Sequence, residues 1–344
     1  MKSMYETSWG GQPRMAFEGQ RTQALERLKN CEAEKGIDRV YIAASTHDAR
    51  YTRSCVASIR YFYPEIPIRL LVGRDLQRGL LDELRRYWDV GVADIPAGDY
   101  GWGFVKLEPL FGPPGERFLV LDSDTVLAGP VLEAFTESRA PFLVDEEEQA
   151  EADTKRLYYD WQKVRGFDPN AQPPQFVFNS GQWFGTAGVL TRHDFEPWIE
   201  WTMPRRTSPP EHFMSGEQGL LNYILNQKAM LEGLAVERRN IMRWPPRSMQ
   251  GVNLESVSRR AAPPVVIHWA GAAKTRRRRD MIGVDLLAHF ERAYYQRLPG
   301  GALRRLFVVS NNYLVRTLPG RVLAKLQLRK RLAYFRTRPL EPGV

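Results

Sequence analysis

The stretch from Phe118 to Gly129 reads FLVLDSDTVLAG: an apolar run meets two carboxylates, Asp122 and Asp124, with Ser123 between them. Hard divalent cations such as Mn²⁺ or Mg²⁺ take oxygen ligands, and a carboxylate pair leaves positions open for phosphate oxygens. Asp and Ser also form turns, because their side chains bond their own backbone, so the pair alone leaves a cation site and a turn both open. A second candidate lies in VIHWAG, where His268 closes another apolar run, Gly271 allows close backbone approach, and Lys274 follows in AGAAKT. An imidazole is a suitable third ligand for Mn²⁺, and an ammonium suits a phosphate oxygen. A histidine beside Trp269 also fits a packed, hydrogen-bonded core position.

These residues need elements that bring them to one edge. RVYIAAS (39–45), IPIRLLV (66–72), the short run at 90–92 and residues 117–122 read as strands, and they alternate with helical stretches at 51–62 and 75–88. Strands apolar along their whole length belong to mostly parallel sheets covered by helices on both faces. Ligands bind such sheets at the carboxyl ends of the strands, which is where Ser45–Asp48 and Asp122–Asp124 fall. Further on, the pattern gives a helix at 130–136, a strand at 140–145, a helix around 153–165, an apolar segment at 175–192, a helix over 217–230 and a strand at 264–269. Residues 21–35 have helical spacing as well.

Composition sets the class. The chain has 344 residues, 43% of them hydrophobic, enough for one large core. Ten of the 49 Lys and Arg but one of the 40 Asp and Glu lie from Gly301 onward, so residues 1–300 carry 39 of each sign and the net charge of +9 belongs to the tail. A neutral body with no reader module argues against a nucleic-acid partner. Residues 303–335 interleave apolar and basic side chains, as in segments that lie on an anionic membrane surface, or as in a terminal helix packed on the body. The run Arg276–Arg279 reads as a solvated or membrane-facing surface. Two cysteines, Cys31 and Cys55, form no disulfide framework, and the N-terminus carries no apolar run of signal length. A cytoplasmic protein, peripheral on the membrane at most, is the expectation.

Taken together, the motifs resemble those of glycosyltransferases with the GT-A nucleotide-diphospho-sugar fold, and most of all family 8, the glycogenin and lipopolysaccharide galactosyl- and glucosyltransferase group. The resemblance spans about residues 39–275. It implies a Rossmann-like mixed α/β fold with a mostly parallel sheet and flanking helices, preceded by an N-terminal segment (1–38) and followed by a basic C-terminal helical extension (276–344). Asp122, Asp124 and His268 would then hold the metal. Lys274 and Gly271, in the family's H-x-x-G-x-x-K setting, would meet the diphosphate. Lys106 stands in KLEP where the family has K-L-x-P, and Asn179-Ser180-Gly181 matches its N-S-G element against the sugar and ribose, with Thr186-Ala187-Gly188 as an alternative match. Glu217-Gln218 before Leu220-Leu221-Asn222 matches the family's D-Q pair opening a helix. The exchange of Asp for Glu217 adds a methylene where the donor sugar is held.

The implied activity is transfer of a hexose from a nucleotide sugar, UDP-linked, to a saccharide or lipid-linked saccharide acceptor, with retention. Asn179, Glu217 and Gln218 would face the reacting sugar. Tyr51, in STHDARY, would stack the base, with Ser45 and Ser123 lining the nucleotide site. An inverting enzyme would need a general base, for which Glu217 and Asp194 are the candidates. A nucleotidyltransferase would show a Gly-rich phosphate loop, which YIAASTHDARYTR lacks. A noncatalytic binding protein of the same fold would keep these polar groups at a cost in desolvation.

Overall fold

The computed structural model describes residues 36–306 apart from 102, 148–149, 210–211, 215, 246–247 and 272–280. The helix expected at 21–35, Lys274, the Arg276–Arg279 run and the basic segment beyond residue 306 lie outside the described residues. The strands are β1 (Arg39–Ala44), β2 (Ile68–Val72), β3 (Val90–Val92), β4 (Arg117–Asp122), β5 (Thr125–Leu127), β6 (Phe142–Asp145), β7 (Gln182–Thr186), β8 (Ile199–Glu200), β9 (Arg206–Thr207), β10 (Val236–Arg239), β11 (Met242–Arg243) and β12 (Val266–His268). The helices are α1 (Ala49–Phe62), α2 (Arg78–Trp88), α3 (Leu132–Thr136), α4 (Glu151–Leu157), α5 (Trp161–Arg165), α6 (Glu217–Glu232), α7 (Leu254–Ser258) and α8 (Val284–Gln296).

A seven-stranded sheet runs in the order β10-β6-β7-β4-β1-β2-β3. It is parallel except at β7, which lies antiparallel to both β4 and β6. Side chains alternate across each strand, so Val40 and Ile42 enter one core while Tyr41 enters the other. The first core packs α1, α2 and α8 on the sheet; the second holds α6, Trp183 and Trp198. On α2 the buried residues Leu80, Leu84 and Trp88 recur every four positions, the stripe that a helix lays on a sheet.

The packed body continues beyond residue 275. Leu286, Leu287, Phe290, Tyr294 and Tyr295 of α8 are buried in the first core, Tyr294 stacks on Trp88 at 4.9 Å, and Arg50 of α1 binds the buried Glu291 at 2.7 Å. The helix expected around 153–165 is two short helices. Tyr159 leaves the helical path to bridge Phe213, and the Asp160 carboxylate then caps α5 by accepting from the Gln162 N–H. The segment 175–181 stays irregular because the carboxamides of Asn222 and Asn226 on α6 take up its backbone: Asn222 both accepts from Phe178 N–H and donates to Phe178 O at 2.9 Å. Asn226 does the same for residues 175–176.

A three-stranded sheet, β11-β12-β5, stands beside the large one. The buried Asp145 at the end of β6 joins the two, its Oδ1 accepting from Ile241 N–H at 3.0 Å and Met242 N–H at 2.8 Å. Burial pushes this carboxyl up from 3.8 to about 6, against the pull of the two backbone donors. The native state therefore keeps a proton that the unfolded chain has already lost between those values, and stability present below the unfolded value is lost as pH rises through about 6. We predict that Asp145→Asn removes this loss: the difference in unfolding free energy between variant and wild type should grow by roughly 2 kcal/mol in the variant's favour from pH 4 to pH 7. A pH-independent difference in denaturant titrations would contradict it.

Candidate active site

Strand pairing alone brings the acidic pair and the histidine together. β4 ends at Asp122, the chain turns through Ser123 and Asp124, and β5 leads away antiparallel to β12 with Thr125 opposite His268. The Trp269 N–H donates to Asp124 O at 3.1 Å, which locks the register. His268 Nε2 consequently lies 3.3 Å from Asp124 Oδ1 and 3.8 Å from Asp122 Oδ2. Ligand atoms of Asp122, Asp124 and His268 all fall within 4.8 Å of one another, close enough to meet one cation. Asp124 and His268 are buried, whereas the Asp122 side chain is 30% exposed, so the cluster opens on the Asp122 side. Two carboxylates and one imidazole fit Mn²⁺ or Mg²⁺ with positions left for outside oxygens.

Lys106 occupies the floor beside it. Its 3₁₀ helix, Phe104–Phe111, places the buried ammonium 2.6 Å from Glu217 Oε1, 3.2 Å from Asp122 Oδ1, and 3.0 and 3.2 Å from the hydroxyl and carbonyl oxygens of Ser180. Burial works against this charge, but Asp122 and Glu217 outweigh it and hold the ammonium above the ordinary lysine value. Burial likewise pushes the Glu217 carboxyl up against the pull of Lys106, and Asp122 adds to the rise. Both shifts follow from one ammonium serving two carboxylates. The Ser180 hydroxyl donates to Glu217 Oε1 at 2.9 Å, while Glu217 Oε2 is buried without a hydrogen-bond partner.

Gln218 and Asn179 join this core through the Ser180–Gly181 turn. Gln218, in the first turn of α6, accepts the Ser180 N–H at 3.1 Å and donates to Leu157 O at 3.3 Å, so its carboxamide is fixed. The buried Asn179 accepts the Gly181 N–H at 2.8 Å, forming the turn that enters β7. Gly181 O in turn accepts from Asp122 N–H at 2.7 Å. Asn179-Ser180-Gly181 is therefore the element at the cluster; Thr186 pairs with Arg117, at the far end of β4. Ser123 is buried between the two acids. Ser45 lies on the same sheet edge, two residues past Ala43, which pairs with Asp122. Tyr51 stands on α1 with its ring partly packed against the first core. Gly271 turns the chain after His268 with φ +54°. Asp194 does not belong to this site: it caps a 3₁₀ turn through Thr191 and pairs with Lys228 at 2.5 Å.

Two glycines shape the cluster: Gly181, from the Asn179-Ser180-Gly181 element, and Gly103, which nothing in the sequence singles out. At Gly103, with φ +76°, a Cβ would lie 1.8 Å from Glu217 Oε2. At Gly181 a Cβ would lie 2.1 Å from the His268 ring, so only glycine admits the imidazole there.

No protein-family model matches the chain, and no curated protein does. Among solved structures it is similar to the apo bifunctional glycosyltransferase WbbM, at 12% identity and a TM-score of 0.50, over 76% of this chain and 52% of that one. It thus spans about half of the WbbM chain. The galactosyltransferase LgtC, solved with donor and acceptor sugar analogs, is 16% identical over 74% of this chain and 95% of that chain, with a TM-score of 0.46. The Streptococcus pneumoniae glycosyltransferase GlyE is 12% identical over 81% and 64%, with a TM-score of 0.45. The mixed, largely parallel α/β architecture is that of the GT-A glycosyltransferases.

We predict that Gly181→Ala, by displacing the His268 ring, weakens Mn²⁺ binding about 10- to 100-fold, the range seen when a group orienting a metal ligand is disturbed. Calorimetry on a variant with an unchanged circular dichroism spectrum checks this; wild-type affinity would contradict it.

Proposed function

We propose that this protein is a metal-dependent glycosyltransferase that moves a hexose from a nucleotide sugar, UDP-linked, to a saccharide or glycolipid acceptor with retention of configuration, and that its nearest affinity is with family 8. The observation that carries the reading is the convergence of Asp122, Asp124 and His268 within 4.8 Å at the carboxyl edge of a GT-A sheet, with Lys106, Ser180 and Glu217 bonded beside them. When bound, a divalent cation supplies positive charge to the diphosphate that departs from the sugar.

The chain's own residues supply the rest. Asp122, Asp124 and His268 would hold the cation, and Lys274, six residues beyond His268, would add a charge to the diphosphate. The Ser180 turn and the Gln218 carboxamide, fixed by Ser180 N–H and Leu157 O, would present oriented polar groups to the sugar instead of attacking it. Retention fits the carboxylates: of the two candidate bases for an inverting route, Asp194 is spent on Thr191 and Lys228, and Glu217 on Lys106 and Ser180. Ser45, just past the end of β1, and Tyr51, on α1, would line the nucleotide.

Among the described residues no helix is long and apolar enough to cross a membrane. The basic segment of residues 303–335 would bring the enzyme to an anionic, cytoplasmic membrane face and a lipid-linked acceptor.

Incubating the protein with Mn²⁺ and a panel of nucleotide sugars should give slow release of nucleoside diphosphate from one UDP-sugar, abolished in Asp124→Ala. Absence of release from every donor, together with absence of calorimetric binding of any nucleotide in the presence of Mn²⁺, would overturn the reading.

A further inference from the structure

Asp122 faces two ways. Its carboxylate oxygens lie 3.2 and 3.4 Å from Lys106 Nζ, and the same group closes the cation cradle, with Oδ2 3.8 Å from His268 Nε2. Lys106 is thus the resident counter-ion of a metal ligand. It cannot swing away: the side chain is buried, and Glu217 Oε1, Ser180 O and Ser180 Oγ hold the ammonium at 2.6, 3.2 and 3.0 Å. Glu217 is equally fixed, since its second oxygen is buried against Gly103, where even a Cβ would not fit. A divalent cation entering the cradle alone must therefore share Asp122 with a fixed positive charge, a repulsion that buried surroundings screen poorly.

A diphosphate alters this balance, because its negative oxygens arrive on the open side and offset both cations. We propose that Lys106 is a positioning residue that holds Asp122 as an internal ion pair, so that the protein takes its divalent cation together with a nucleoside diphosphate and binds the bare ion weakly. The proposal rests on the metal-site reading above and deepens it. Glu217 sets the strength of the device: by drawing Lys106 toward itself it loosens the lysine's hold on Asp122. Glu217 does this from the first position of α6, with Oε1 2.6 Å from the ammonium.

The test is calorimetric titration of the full chain with Mn²⁺, alone and with UDP present. In the wild type, UDP should tighten Mn²⁺ by about tenfold or more, and Mn²⁺ should tighten UDP by the same factor. Lys106→Met should tighten Mn²⁺ alone by about tenfold and shrink the gain from UDP, because the competing charge is gone. Glu217→Gln should do the opposite, weakening Mn²⁺ alone, because Lys106 then leans wholly on Asp122. Glu217→Gln keeps the side-chain shape, so it carries the test even if Lys106→Met does not fold. Should folded variants bind Mn²⁺ alone within about twofold of wild type while Asp124→Ala abolishes binding, the counter-ion proposal fails and the metal site stands. Should the wild type bind no Mn²⁺ with or without UDP, the site reading fails with it.

Discussion

A single buried ammonium organises this site. Lys106 joins four segments that are distant along the chain: its own 3₁₀ helix, the end of β4 through Asp122, the turn before β7 through Ser180, and the start of α6 through Glu217. An unpaired buried cation is costly, and taking one partner from a buried ion pair typically costs about 3–5 kcal/mol. The native state thus satisfies the lysine only when all four segments are in place. The geometry of the polar site and the integrity of the fold are for this reason one constraint. Gly103 and Gln218 serve it too, the first by leaving room for Glu217 and the second by holding the Ser180 backbone.

The Asp122–Asp124–His268 cluster depends on a second constraint, the pairing of two very short strands. β5 and β12 contribute three residues each, and their antiparallel register sets Thr125 against His268 and hence the imidazole against Asp124. A slip by one residue would turn His268 to the other face. The register is guarded by the apolar partners Val126 and Ile267 in the first core and by Asp145, which ties β11 to β6. Because Asp145 sits in that joint with a carboxyl that burial pushes up to about 6, the junction between the sheets carries its own sensitivity to pH.

Much of this was legible in the sequence, for physical reasons. The parallel strands announce themselves because both their faces are buried, and the acidic pair is visible because charge follows an apolar run. Strand ends alone put Asp122 and Asp124 at the ligand-binding edge and His268 at the end of another apolar run, whereas Lys106, Asn179 and Gln218 were joined to them only by the resemblance of their motifs. The wiring among them was not legible, since contacts such as Lys106 with Glu217 join residues far apart in sequence. Gly103 looks like any loop glycine until the atoms that would meet a Cβ are known, and the steric demand on Gly181, though its motif was visible, was equally hidden. Asp145 read as the end of a strand and proved to be a cross-sheet acceptor, while Asp194 looked available as a base and proved to be a cap. The break at Tyr158–Asp160 was hidden because its cause, the bridge from Tyr159 to Phe213, is tertiary.

In the proposed site His268 joins Asp122 and Asp124 around one cation. Pulsed electron paramagnetic resonance of Mn²⁺ bound with UDP tests it directly, because a coordinated imidazole imprints nitrogen modulation on the manganese echo. That modulation is expected in the wild type and should be lost in His268→Ala. Manganese bound to the wild type without nitrogen coupling would contradict it.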